Sequence, residues 1–227
     1  MHARRKDLLI AGIIVALCAW AVISQLGSGP DGPEASAKLR TIEVGEALDP
    51  DVTLLDVGGE RRRVGDGYGT NATVFYSWST TCPCIPICEE LLRQTYARFG
   101  PDQGVAWIGV AGEPSDTAGA VRGGMRSLDA FYGMLLDPYH RLSQRLGFDR
   151  AAVLAVLDGD GYLRFRGNVS DDLKTPQRNH LLEVLPAIVA GTPPPMAETE
   201  LAYGCEFTDP QPCPDDEVLT PPPPSTP

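Results

Sequence analysis

Residues 73–78 (TVFYSW) form a short, β-prone apolar run without a charge, the pattern of a strand buried on both faces. The period then changes: within 89–99, Leu91, Leu92, Thr95, Tyr96 and Phe99 fall at helical spacing. A second apolar run at 105–110 predicts the next strand, and Ser115-Asp116 reads as a helix N-cap after it. Residues 134–136 are a brief apolar run ending at Asp137-Pro138, and a helix is predicted from there to Leu146. Residues 152–157 and 162–166 predict two strands joined at Asp158-Gly159-Asp160-Gly161, a strong hairpin signal. Thr175-Pro176 opens the last predicted helix, with Leu181, Leu182, Leu185 and Ile188 on one face. Ahead of these elements, residues 38–66 suggest short strands turning at Gly58-Gly59, with Arg61-Arg62-Arg63 as a solvated hairpin tip. Strands alternating with helices, closed by a hairpin and a helix, predict an α/β fold with a mixed central sheet flanked by helices.

The two ends of the chain follow other patterns. Arg4, Arg5 and Lys6 precede nineteen uncharged residues, 8–26, the length a helix needs to cross a bilayer core. Acidic residues (Asp31, Glu34) follow, so the positive-inside rule puts 1–7 in the cytoplasm and the bulk of the chain outside it. Ala35-Ser36-Ala37 has the small-residue cleavage pattern, but the Gly/Pro/Ser-rich linker 27–37 separates it from the apolar run, which favours an uncleaved anchor. Cys18 follows Leu17, where a lipoprotein signal would want a small residue. The expectation is a single-pass protein of the cytoplasmic membrane whose domain, 38–191, is periplasmic. In the tail, 192–227, eleven of 36 residues are proline, too little apolar surface to fold alone. A formal charge of −11 argues against nucleic acid as a partner.

Six cysteines then decide the candidate chemistry, three of them, Cys82, Cys84 and Cys88, within seven residues at the strand-to-helix junction. Helix N-termini favour thiolate over thiol, so this placement reads as redox chemistry, with Cys82, Cys84 and Cys88 as the candidate attacking and resolving thiols. A Cys82–Cys84 disulfide closes a very tight ring, and strain makes a disulfide easier to reduce. Cys84 and Cys88 share a helix face about 5–6 Å apart, slightly wide for a disulfide and suited to a soft ion such as copper(I). One structural disulfide beside an inert thiol is the bland alternative. Trp78, Ser79, Thr81 and Pro83 would shape the site. In the tail, Cys205 and Cys213 either form a disulfide with each other, or Cys205 folds back as a resolving thiol for Cys82 or Cys88. Five cysteines lie beyond the predicted anchor, so at least one stays free, pairs between chains or binds something.

The runs Val74-Phe75-Tyr76-Ser77-Trp78-Ser79-Thr80-Thr81-Cys82-Pro83, Leu136-Asp137-Pro138 and Val156-Leu157-Asp158-Gly159-Asp160-Gly161-Tyr162-Leu163 resemble the redoxin branch of the thioredoxin fold. That branch includes membrane-anchored TlpA-like and ResA-like reductases, peroxiredoxins and Sco copper proteins, and the resemblance covers residues 41–191. It implies Cys82 as the nucleophile of a Cys-x-x-Cys motif, but Ile85 stands at the resolving position and Ala152 where the family carries a cis-proline. Against the peroxiredoxin motif the chain has Phe75 for proline and Ser79 for threonine before Cys82, with Arg150 two residues from the expected arginine. Against the Sco pattern it has Cys84, Cys88 and Glu89-Glu90-Leu91 but no histidine at Ala151-Ala152. His140 and His180 fall on predicted helices as ordinary solvated or capping residues. The tail before Gly204-Cys205 resembles that of uncharacterised bacterial redoxin-domain proteins. The resulting expectation is an extracytoplasmic thiol–disulfide oxidoreductase acting on protein thiols or disulfides without an organic cofactor. Alternatives are a copper(I) module using Cys82, Cys84 and Cys88, a thiol peroxidase, or a silent interaction domain.

Overall fold

The structure is a computed structural model that describes residues 40–210. The expected anchor and linker, Cys18, Cys213 and the end of the tail lie outside the described residues, among which no helix is long and apolar enough to cross a membrane. The strands are β1 (Thr53–Asp56), β2 (Arg61–Arg63), β3 (Ala72–Trp78), β4 (Val105–Ala111), β5 (Gly133–Leu136), β6 (Val153–Asp158) and β7 (Leu163–Asn168). The helices are α1 (Cys84–Tyr96), α2 (Ala118–Ser127), α3 (Arg141–Leu146) and α4 (His180–Val189). The seven strands form one sheet in the order β2-β1-β5-β4-β3-β6-β7. β3, β4 and β5 run parallel, and β1, β2, β6 and β7 are added by antiparallel pairings. This is the expected mixed sheet flanked by helices.

β3 is central because both its faces are apolar, and every residue of it is buried. Val74, Tyr76 and Trp78 join a core with Ile85 and Leu92 of α1 and with Leu181, Val184, Leu185 and Ile188 of α4. Phe75 faces the opposite core, with Val110, Leu135, Leu157 and Leu142 and Leu146 of α3. Gly124 lets α2 lie against Trp78, since a Cβ there would come 2.7 Å from the indole ring.

Three boundaries differ from the sequence reading. α1 begins at Cys84, not at Glu89, because Pro83 and Pro86 fall where helix N–H groups lack intrahelical partners anyway. That start puts Cys84, Ile85, Cys88 and Leu92 on one buried stripe. α2 is capped by Thr117, whose side chain accepts from the Ala120 N–H at 3.2 Å. The expected cap residues are engaged elsewhere, Ser115 with Glu113 and Asp116 with Thr80. α4 starts at His180 behind Asn179, because Asp171 and Asp172 hold 174–178 as a loop through the N–H groups of Lys174, Thr175, Gln177 and Arg178.

Two surface expectations are also corrected. The hairpin turns at Gly58-Gly59, and the arginine run is the edge strand β2 beyond it. There Arg62 pairs with Asp56 at 2.9 Å, and Arg63 pairs with Asp51 and Asp66 at 2.8 Å, a charged edge that discourages strand pairing with other chains. His140 and His180 are buried, not solvated, and each donates to a backbone carbonyl, Gly112 at 2.7 Å and Asn168 at 3.0 Å.

Beyond Gly191 the chain crosses the β7 edge. Arg166 N–H donates to Ala197 O and Thr199 N–H to Arg166 O, and residues 197–208 continue as a strap over the end of β3 and the start of α1. If β3 is the central constraint, Phe75→Ala will cost about 3–5 kcal/mol of stability. Urea unfolding followed by circular dichroism measures it, and a loss below about 1 kcal/mol would contradict the packing described.

Candidate functional site

The site grows out of the β3–α1 turn. Trp78 ends the strand, fully buried, and its carbonyl accepts from Gly112 N–H at 3.3 Å. Ser79 Oγ accepts from the Thr81 N–H at 3.2 Å and lies 3.0 Å from Thr81 Oγ1, which tightens the turn. Thr80 N–H donates to the Asp116 carboxylate at 3.0 Å, tying the turn to the β4–α2 loop. Burial pushes the Asp116 carboxyl upward, against the opposing pull of its Thr80 donors. Ile85 N–H then returns to Cys82 O at 3.2 Å, so Cys82 sits just before the helix with its carbonyl already inside the first turn. Pro83 stands at the N-cap position with helical dihedrals and gives no side-chain cap, leaving the positive end of α1 beside the thiols.

The strap supplies the other side. Asn168, at the end of β7, is completely buried and donates to Ala152 O at 2.9 Å and Tyr203 O at 3.2 Å. Its carbonyl accepts from the N–H groups of Ala202 at 2.8 Å and Tyr203 at 3.3 Å. Ala151 N–H donates to Cys205 O at 2.9 Å and Phe207 N–H to Asp149 O at 2.9 Å. Gly204, at φ +124°, permits this approach, since a Cβ there would lie 2.3 Å from the Ala151 carbonyl oxygen. Glu113 holds the far end, accepting from Thr208 Oγ1 at 2.7 Å and Thr208 N at 3.2 Å. Ala152 itself adopts φ +67°, an unfavourable region for alanine, and its N–H donates to Ser77 O at 2.9 Å. Ser77 Oγ fixes the same corner by donating to Arg150 O at 2.6 Å and accepting from Val153 N–H at 3.0 Å.

The consequence is a cluster of three thiols. The Cys82, Cys84 and Cys205 sulfurs all lie within 4.8 Å of one another. Cys88 is not part of it: one turn further along α1, its sulfur faces the Tyr203 hydroxyl at 4.0 Å. Tyr203 is held in turn by Ser170, whose N–H donates to the phenol oxygen at 3.0 Å. The structure therefore replaces the expected Cys82, Cys84, Cys88 grouping by one that reaches into the tail.

Three of the thiols are raised, each for a different mix of causes. Burial pushes the Cys88 thiol up to about 12, against weaker pulls from Tyr203 and Tyr76. Cys84 is raised first by burial and then by facing the Cys82 sulfur, while the Gly204 N–H pulls it down. Cys205 is pushed up to about 12, chiefly by its hydrogen bond to the Cys82 sulfur and then by burial. Cys84 and Cys205 thus both hold their protons more tightly than an ordinary thiol while facing the Cys82 sulfur. Deeper along α1, Glu89 is buried against the Tyr132 hydroxyl, and burial raises its carboxyl.

Cys82 and Cys84 are only 3% and 7% exposed, because the strap covers them. The sequence signals Cys82 through its place after a buried strand. The supporting residues Asn168, Tyr203, Gly204, Glu113 and Asp116 carry no motif, and the glycine before Cys205 was the one available hint of close backbone approach.

No protein-family model and no curated protein matches the chain by sequence. Among solved structures, the fold is similar to a hypothetical protein from Sinorhizobium meliloti 1021, at 18% identity and a TM-score of 0.61 over 74% of this chain and 97% of that one. It is also similar to an uncharacterized conserved protein from Geobacillus kaustophilus, at 21% identity and a TM-score of 0.58 over 69% and 87% of the two chains. A secreted Mycobacterium tuberculosis disulfide oxidoreductase, described as homologous to E. coli DsbE, is similar at 18% identity with a TM-score of 0.47, covering 62% and 96%. At these identities the likeness to the first two is one of fold.

Two outcomes follow from the clasped strap. Gly204→Ala will displace it by a cost of about 1–3 kcal/mol, so iodoacetamide will label Cys82 and Cys84 roughly tenfold faster or more, with Cys88 still labelled last; unchanged labelling would refute the cover. Glu113 is buried, which alone would raise its carboxyl, but its Thr208 and Ser115 donors outweigh that and hold it below its ordinary 4.5. Its stabilising contribution is therefore complete above that value and is lost as pH falls through the lowered one. Hydrogen exchange at 207–208, corrected for intrinsic rates, will accelerate in that acid range, and Glu113→Ala will remove the pH dependence.

Proposed function

We propose that residues 40–210 form a thioredoxin-like domain that performs thiol–disulfide exchange, with Cys82 as the attacking sulfur and Cys205 or Cys84 as the resolving one. The observation that carries this reading is the meeting of three sulfurs within 4.8 Å at the N-terminus of α1. The Cys82 thiolate attacks one sulfur of a substrate disulfide, that S–S bond breaks, and the departing substrate sulfur takes a proton. A neighbouring thiol then gives up its proton and attacks the Cys82 sulfur of the mixed disulfide. The second substrate thiol leaves, and the protein keeps a disulfide after transferring two electrons. An external dithiol must restore the reduced form, and no organic cofactor takes part because sulfur holds both electrons.

Geometry favours Cys205 as the resolving thiol. A Cys82–Cys84 bond closes a ring across one intervening residue, whereas Cys205 approaches from a separate segment with no such constraint. Cys88, expected as a resolving thiol, is turned toward Tyr203 and stays a core residue in this reading. Substrate access requires the strap to lift, which local opening permits at less than the cost of global unfolding. The charge pattern of 1–26 supports tethering to the cytoplasmic membrane with the domain on the periplasmic side, where protein disulfides persist.

Reduction of a model protein disulfide tests the reading. Cys82→Ser will lower the second-order rate on the order of a thousandfold or more. Cys205→Ser will accumulate a mixed disulfide detectable by mass spectrometry, and Cys88→Ala will react as the wild type does. A Cys82→Ser protein as fast as the wild type would sink the proposal.

A further inference from the structure

We propose that the reduced Cys82, Cys84 and Cys205 thiols form a three-sulfur site for one copper(I) ion, with the strap supplying the third ligand. This uses the sulfurs of the exchange reading without depending on their redox turnover. Three considerations lead to it. The first is spacing. Thiolates bind d10 ions at about 2.3 Å, so three sulfurs around one ion in a plane stand about 4 Å apart. The three sulfurs here lie within 4.8 Å of one another before any ion draws them in.

The second is donor type and number. Thiolate ligands select copper(I), zinc and iron–sulfur clusters. Structural zinc sites close with four ligands, and among the described residues no fourth histidine, cysteine or carboxylate joins this group. A three-sulfur set with no fourth donor therefore favours copper(I). One ion displaces one proton from each coordinating thiol, leaving a site of charge −2 when all three bind. The positive end of α1 offsets part of that charge.

The third is enclosure. Cys82 and Cys84 are almost completely covered, and Cys205 is itself part of the cover. Such burial obstructs a protein disulfide until the strap lifts, but a bare ion needs only a narrow path. An ion bound by Cys205 would also fix the strap, since ligand binding stabilises the state that binds.

The test uses the full chain in detergent, reduced and anaerobic, with copper(I) delivered from its bicinchoninate complex. The wild type is expected to withdraw one copper(I) per chain, with three sulfur neighbours in the copper X-ray absorption spectrum. Hydrogen exchange across 202–207 should slow on loading. Cys205→Ser should fall to two sulfur neighbours, bind at least about tenfold more weakly and lose the slowing, while circular dichroism shows the fold retained. Cys88→Ala should keep all three sulfurs. The proposal is overturned if the wild type takes no copper from the competitor, if Cys205→Ser keeps three sulfurs, if Cys88→Ala loses one, or if zinc(II) displaces copper(I). Disulfide reduction by the copper-free protein is measured in parallel. Activity without copper binding removes this inference alone, and copper binding without activity removes the exchange reading alone.

Discussion

The side chain of Asn168 uses its hydrogen-bonding capacity completely. Both N–H groups donate, to Ala152 and Tyr203, and both carbonyl lone pairs accept, from Ala202 and Tyr203, in a fully buried setting. A buried amide that lost these partners would leave unpaired groups costing about 1–3 kcal/mol each, so the arrangement tolerates little slippage. It fixes two things together: the left-handed corner at Ala152 and the path of the strap. With the strap on that path, the Ala151 N–H reaches Cys205 O and the third sulfur arrives over the start of α1. The site is thus a product of one residue at the end of β7, far in sequence from the cysteines it brings together.

This explains which parts of the molecule were legible in the chain. β3 was legible because a strand buried on both faces carries no charge and is mostly apolar, as 72–78 is apart from Thr73 and Ser77. The β6–β7 hairpin was legible because its glycines and aspartates have turn chemistry at fixed offsets. The start of α1 was hidden because Pro83 and Pro86 read as breakers in any window, although the first turn is where proline loses nothing. The place of Cys82 could be inferred from β3 alone. Its partner could not, because the strap is held mainly by backbone hydrogen bonds and one buried amide. Composition reports burial of side chains and is blind to that kind of attachment.

The resemblance to redoxins pointed to Ile85 and Ala152 as departures, and the structure gives both a physical sense. Ile85 is buried beneath α1 among the residues that seat the helix on β3, so the usual resolving position has become a core position. Ala152 sits beside the strap rather than beside open solvent, with its carbonyl bonded to Asn168 and its neighbour Ala151 bonded to Cys205. The surface beside Ala152 is occupied by the protein's own tail. The strap carries Cys205 to within 4.8 Å of the Cys82 sulfur.

That placement sets the terms on which the thiols can act. A sulfur nucleophile needs a resolving partner and access, and here one strap governs both. The start of α1 and the Cys84 and Cys205 sulfurs all stand beside Cys82 while the strap is down. Access exists only when the strap lifts, and lifting removes Cys205, one of the two neighbouring thiols. With the strap down the three sulfurs stand together but are covered, and with it lifted they would be reachable but no longer a set of three. A small soft ion would need less opening than a protein disulfide to reach the same sulfurs. The clasps at Gly204, Asn168 and Glu113 hold the strap over the three sulfurs, so under either proposal they set how readily those sulfurs are reached.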